Sequence, residues 1–106
     1  MKKNLIFESN EGCLARAMQI IGNKWTALII EELAEGSRRF CEIERSVSNI
    51  NPRTLTKRLL YLEEENIITK KNIDSTSQGH CYILTRKGKD LIPVIVSMSN
   101  WGKKYN

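Results

Sequence analysis

The hydrophobic period of this chain changes twice, and those changes constrain the fold more than any other feature. From residue 11 to residue 65 apolar residues recur at helical spacing, from 67 to 85 they alternate, and from 86 onward the spacing is helical again. Such a pattern permits several short helices around one hairpin. A first helix is predicted over residues 11–21, behind the cap-forming Ser9 and Asn10, and Gly22-Asn23 stops it. A second runs from Lys24 to Glu35 with Trp25, Leu28, Ile29 and Leu33 as its apolar stripe, ended by Gly36. The third is short, Arg39 to Val47, with Phe40, Ile43 and Val47 inward. Asn51-Pro52, a polar cap and a first-turn proline, starts a fourth that reaches Glu65.

Ile67–Ile73 and Cys81–Thr85 then read as two strands, and Asp74–Gly79 between them is turn chemistry. Thr85 caps a last helix that runs to about Lys104, with a bend expected at Pro93. Two short helices joined by a tight turn and followed by a hairpin make a winged helix-turn-helix. The expected class is α+β, mainly α, with an additional N-terminal helix and a C-terminal dimerisation helix. One domain over 1–106 divides into N-terminal helices (11–35), a helix-turn-helix (39–65), a wing hairpin (67–85) and the C-terminal helix (86–105).

A chain of 106 residues fits one domain. Its monomer core is modest, so burial at a subunit interface would be useful. Composition, with 41% hydrophobic and 27% charged residues, is that of an ordinary globular domain. The runs Leu28–Ile30 and Leu91–Val96 are too short or too interrupted to span a bilayer, and no membrane partner is expected. The apolar stretch after Lys2-Lys3 ends at Glu8, unlike a signal peptide, so a cytoplasmic location is expected. Cys13, Cys41 and Cys81 are widely spaced without a CxxC or HxxxH pair, which argues against a metal site or disulfide scaffold; no cofactor is implied.

Charge is unevenly spread. Residues 1–35 carry four Lys/Arg against five Asp/Glu, residues 36–72 eight against five, and residues 73–106 five against two. The positive excess therefore lies where a polyanion would dock. The fourth helix carries the strongest local signal. Arg53, Thr54, Lys57, Arg58 and Tyr61 occupy one arc of about 140°, and Leu55, Leu59 and Leu62 lie opposite. Acids return only at Glu63, Glu64 and Glu65. Arginine can donate twice to a guanine edge, while lysine and threonine suit phosphates or base acceptors. Double-stranded DNA is the expected partner, with Arg39 at the start of the third helix and Lys70 and Lys71 on the first strand as further contacts.

Several blocks together resemble the HxlR-type regulators, which are related to the MarR group. They are Cys13, Ile20-Ile21-Gly22-Asn23-Lys24-Trp25-Thr26, Arg39-Phe40-Cys41-Glu42-Ile43, Ile50 to Leu59, Leu62 to Ile68, and Tyr82 to Gly88. The resemblance covers nearly the whole chain. It implies a transcription regulator that works as a homodimer through its first and last helices. By position it implies that Asn51, Pro52 and the residues to Arg58 read DNA, and that Ser75, Ser77, Gln78 and His80 belong to the wing tip. Leu14 and Asn23 stand where the family pattern has proline and a second glycine.

Leu91, Val94, Ile95, Met98, Trp101 and Tyr105 line the last helix, five of them in a heptad-like seam. They read as a dimer interface, joined by Leu5 and Phe7, or as packing on their own domain. Cys13 falls in a first helical turn, where the dipole favours negative charge on sulfur. It reads as a sensor of a small electrophile or oxidant or as a small buried apolar residue. Cys41 and Cys81 read as packing residues. The alternative to DNA binding is a winged-helix protein-interaction module. An enzyme is disfavoured, because the single histidine has no nucleophile or carboxylate constellation near it.

Overall fold

A computed structural model describes residues 11–72 and 79–106. Within these residues six helices and one hairpin follow in the order α1 (Glu11–Ile21), α2 (Lys24–Leu33), α3 (Phe40–Ser46), α4 (Pro52–Glu64), β1 (Ile68–Asn72), β2 (His80–Leu84), α5 (Arg86–Lys89) and α6 (Ile92–Lys104). The winged helix-turn-helix is present. Leu5, Phe7, Ser75, Ser77 and Gln78, with the caps Ser9 and Asn10, lie outside the described residues.

The core forms where the helical stripes of α2, α3 and α4 converge on the start of the hairpin. Ile29, Ile30, Ile43, Leu55, Leu59, Leu62 and Ile67 are almost wholly shielded from water. Each such side chain contributes roughly 1.5–3 kcal/mol of transfer free energy. Asn23, the departure from the family glycine, caps α2: its Oδ1 accepts from Trp25 N at 2.9 Å and Thr26 N at 3.3 Å. The second helix stops at Leu33, short of the expected Glu35, and Gly36 follows at φ +139°, a conformation that only glycine adopts without strain.

The strands are antiparallel, with Ile68 opposite Leu84, Lys70 opposite Tyr82 and Asn72 opposite His80. Arg38 adds a one-residue bridge on the other edge of β2: its N–H donates to Tyr82 O at 3.1 Å, and Tyr82 N donates to Arg38 O at 2.8 Å. The turn before α3 is thereby tied to the wing. Thr85 acts as the expected cap, accepting from Gly88 N at 3.0 Å and donating to Asn66 O at 2.6 Å. Gly88 lets α5 approach so closely that an added Cβ would collide with Ile67 O.

The last helix departs from expectation. It is not one bent helix: α5 ends at Lys89, Asp90 and Leu91 intervene, and Pro93 sits in the first turn of α6. Proline lacks the N–H that would bond back to Lys89, and its ring would collide with that carbonyl. In a first turn neither penalty arises.

Candidate nucleic-acid interface

The fourth helix is positioned by its leucines. Leu55, Leu59 and Leu62 are buried, which fixes the rotation of α4 about its axis. Asn51 caps it, with Oδ1 accepting from Thr54 N at 2.9 Å, and Pro52 occupies the first turn. At about 100° per residue, the side opposite the leucines holds Arg53, Thr56, Lys57, Leu60 and Glu64 within an arc of about 100°. All five are exposed.

That face is rotated from the one the sequence predicted. Arg53 and Lys57 are exposed as expected, whereas Thr54, Arg58 and Tyr61 are half-buried. Arg58 Nη1 donates to the hydroxyl of Thr26 at 3.3 Å, and its guanidinium lies 4.8 Å from the centre of the Tyr61 ring. The Tyr61 hydroxyl donates to Gln19 O at 3.5 Å. Thr26 is 0% exposed and is the one buried polar side chain of the core among the described residues. Arg58 and Tyr61 thus anchor α4 to α1 and α2, so they are positioning residues as much as surface ones. Thr56 and Leu60 were missed. The signal that finds them is the direction opposite the buried leucines, taken in place of the centre of the polar arc.

Arg39 is exposed at the cap position of α3, where its N–H donates to Glu42 Oε1 at 2.8 Å. Its neighbour Arg38 is committed elsewhere. Nε donates to Glu32 at 2.9 Å and the guanidinium lies 3.6 Å from Glu35, which holds its pKa above the ordinary arginine value. Lys70 and Lys71 are both exposed but point to opposite faces of the hairpin, as adjacent strand residues must. Lys70 shares the face of Ile68 and Tyr82, with Nζ 5.9 Å over the Tyr82 ring. Burial, with Glu63 adding to it, pushes the Tyr82 phenol pKa up. His80 is half-buried, and its Nδ1 has no hydrogen-bond partner among the described residues.

The other sequence candidates separate by burial. Ile95 belongs to the monomer core at 8% exposure, and Leu91 is half-buried against it. Val94, Met98, Trp101 and Tyr105 are exposed, with Trp101 at 67% and its ring 5.2 Å from that of Tyr105. Leu14 and Met18 of α1 are also exposed. Cys13 is exposed and borders an open groove of about 400 Å³ lined by Arg16, Ile20, Ile67, Lys87 and Leu91. Arg16 forms an ion pair with Glu65 just beyond α4, and Lys87 Nζ donates to Glu65 O at 2.7 Å. Cys41 is exposed and so is no packing residue; Cys81 is half-buried. Among the described residues no group of His, Cys, Asp and Glu is arranged to hold a metal ion.

A helix-turn-helix with a wing, an outward cationic helix and a tethered hairpin defines a DNA-binding protein of the winged-helix class. A family model for the HxlR-like helix-turn-helix matches residues 20–106, and the chain belongs to this family of transcriptional regulators. The HTH-type transcriptional regulator YvaP of Bacillus subtilis is 38% identical over 90 residues, covering 85% of this chain and 83% of its own length. The regulator YodB of the same organism is 33% identical over 89 residues, covering 84% and 80%. Among solved structures, the redox regulator HypR in its reduced form superposes with a TM-score of 0.81 at 28% identity, covering 87% of this chain and 91% of that one. Reduced YodB gives 0.78 at 31% identity, covering 88% and 91%. Among the described residues, no helix is long and apolar enough to cross a membrane.

Proposed function

We propose that this regulator binds a near-palindromic operator as a homodimer, in the cytoplasm, and that modification of Cys13 weakens that binding. The observation that carries the reading is the outward face of α4. Leu55, Leu59 and Leu62 are fully used by the core, and the free side presents Arg53 and Lys57 with no acid before Glu64. A single such helix reads one half-site. Two, related by a two-fold axis, read a palindrome about one DNA turn apart, ~34 Å. The exposed Val94, Met98, Trp101 and Tyr105 supply the dimer seam, and Leu14 and Met18 extend it. Selection from a pool of random duplexes at physiological salt, with sedimentation of the free protein, tests both parts. A monomer at micromolar concentration, or no enriched sequence, would overturn them.

The thiol part rests on where Cys13 sits. Its groove is floored by Ile20, Ile67 and Leu91, and α1 is tied to the far end of α4 by Arg16–Glu65 and Tyr61–Gln19. YodB has solved structures in quinone-bound and diamide-treated forms, and HypR in an oxidised form. A quinone would add here without another reactant: sulfur bonds to a ring carbon, the two carbonyl oxygens become hydroxyls, and the proton balance closes within the adduct. A body wedged under α1 would shift α4 and alter the spacing of the two recognition helices. The test treats wild type, Cys13→Ser and the Cys41→Ser/Cys81→Ser double variant with a quinone or diamide before measuring operator binding. Wild type and the double variant should lose affinity and Cys13→Ser should keep it. Equal loss in Cys13→Ser would make Cys13 a bystander.

A further inference from the structure

Leu60 is 53% exposed in the middle of the outward face of α4, between the exposed Lys57 and Glu64. An exposed leucine alone means little. Its surroundings give this one meaning. Every other exposed large hydrophobic among the described residues lies on α1, on α2 or along α6 to its end. Leu60 therefore stands apart from the apolar seam, on a face otherwise made of Arg53, Thr56, Lys57 and Glu64. It also lies about 100° around the helix from Tyr61, which holds α4 to α1.

We infer that Leu60 reads a thymine, by seating its side chain against the C5-methyl group in the major groove; the inference rests on α4 being the DNA-reading helix. An alkyl side chain cannot satisfy the donors and acceptors that guanine, cytosine and adenine present on that edge. The one apolar group there is the methyl of thymine. The spacing adds a geometric constraint. Leu60 follows Arg53 by seven residues, about 10 Å along the helix, which is about three base-pair steps. A half-site should then carry a guanine under Arg53 and a thymine about three steps away under Leu60, and Glu64 marks where contact with the anionic duplex ends.

The experiment replaces the thymines of a selected half-site one at a time with deoxyuridine, which removes only the methyl group. For the wild-type protein one such change should weaken binding about fourfold, the equivalent of one buried methyl-sized group. Leu60→Ala, at a position outside the core, should fold normally, bind duplex DNA and treat thymine and deoxyuridine alike at that position. If no thymine in the site is sensitive, or if Leu60→Ala stays as sensitive as wild type, the assignment is wrong while DNA binding by α4 stands. If the wild-type protein enriches no sequence at all, the reading of α4 falls and this inference falls with it.

Discussion

The fourth and sixth helices are each 13 residues long and each begins with a proline in its first turn, yet they spend their apolar residues in opposite ways. Helix α4 buries Leu55, Leu59 and Leu62 and leaves one large hydrophobic, Leu60, in water. Helix α6 buries only Ile95 and leaves Val94, Val96, Met98 and Trp101 exposed, with Tyr105 at its cap. The first helix is complete within the chain and has a polar side to offer. Helix α6 keeps most of its large apolar side chains outside the monomer core. Val94, Met98, Trp101 and Tyr105 share one side of α6, and in the proposed dimer that side is the interface, with the aromatic pair at its end as the anchor.

The sharpest way to break this contrast is to remove a side chain that α4 has buried. Leu59→Ala should destabilise the monomer by about 2–5 kcal/mol, because the loss of transfer free energy is joined by a cavity that the tight core cannot close. Denaturant unfolding measures it; a loss below ~1 kcal/mol would mean that α4 is not seated as described. The mirror experiment is on α6. Trp101→Ala should leave monomer stability nearly unchanged but weaken self-association by about 2 kcal/mol or more, roughly thirtyfold in the dimer constant. Sedimentation across a concentration series separates the two quantities. A fall in monomer stability with unaltered association would place Trp101 in its own domain.

A smaller effect distinguishes the two arginines of α4. Arg53→Ala should cost ~1–3 kcal/mol of operator binding with no change in unfolding, since its side chain is exposed and has no partner among the described residues. Arg58→Ala should lower binding and stability together, because it also removes the bond to Thr26. Titrations at fixed salt alongside melting curves read both, and identical behaviour of the two variants would erase the distinction between reading and positioning residues. The smallest effect concerns the start of the helix. Asn51→Ala should cost about 1 kcal/mol of stability through the lost cap to Thr54 N, and Asn51→Asp should largely restore it.

Much of the architecture was legible because its signals are local. The Asn51-Pro52 pair places the start of α4 to the residue, since a side-chain cap and a fixed φ act on the chain regardless of what surrounds it. The cap at Thr85 follows for the same reason. Pro93 was read locally too, but a proline within a helical pattern either bends the helix or opens a new one, and the choice depends on whether the preceding turn is held elsewhere. Here Thr85 and Lys87 fasten α5 to the carbonyls of Asn66 and Glu65, so the chain breaks and restarts. The opposite facing of Lys70 and Lys71 was available from the period of a strand.

Local signals sufficed for the order of elements as far as Thr85, for the family and for the existence of an amphipathic, cation-bearing α4. Periodicity, caps and turn residues are short-range, and the family blocks extend over nearly the whole chain. Which side of α4 faces outward, by contrast, was settled by packing. A helical wheel ranks residues by polarity, whereas packing depends on what the neighbouring helices offer, and α2 offers a buried hydroxyl. Thr26 draws in Arg58, Tyr61 reaches the carbonyl of Gln19, and the helix presents Thr56 and Leu60 in their place. The same holds for Ile95, which the sequence groups with the dimer residues but which lies in the monomer core, because the inner side of α6 meets α2.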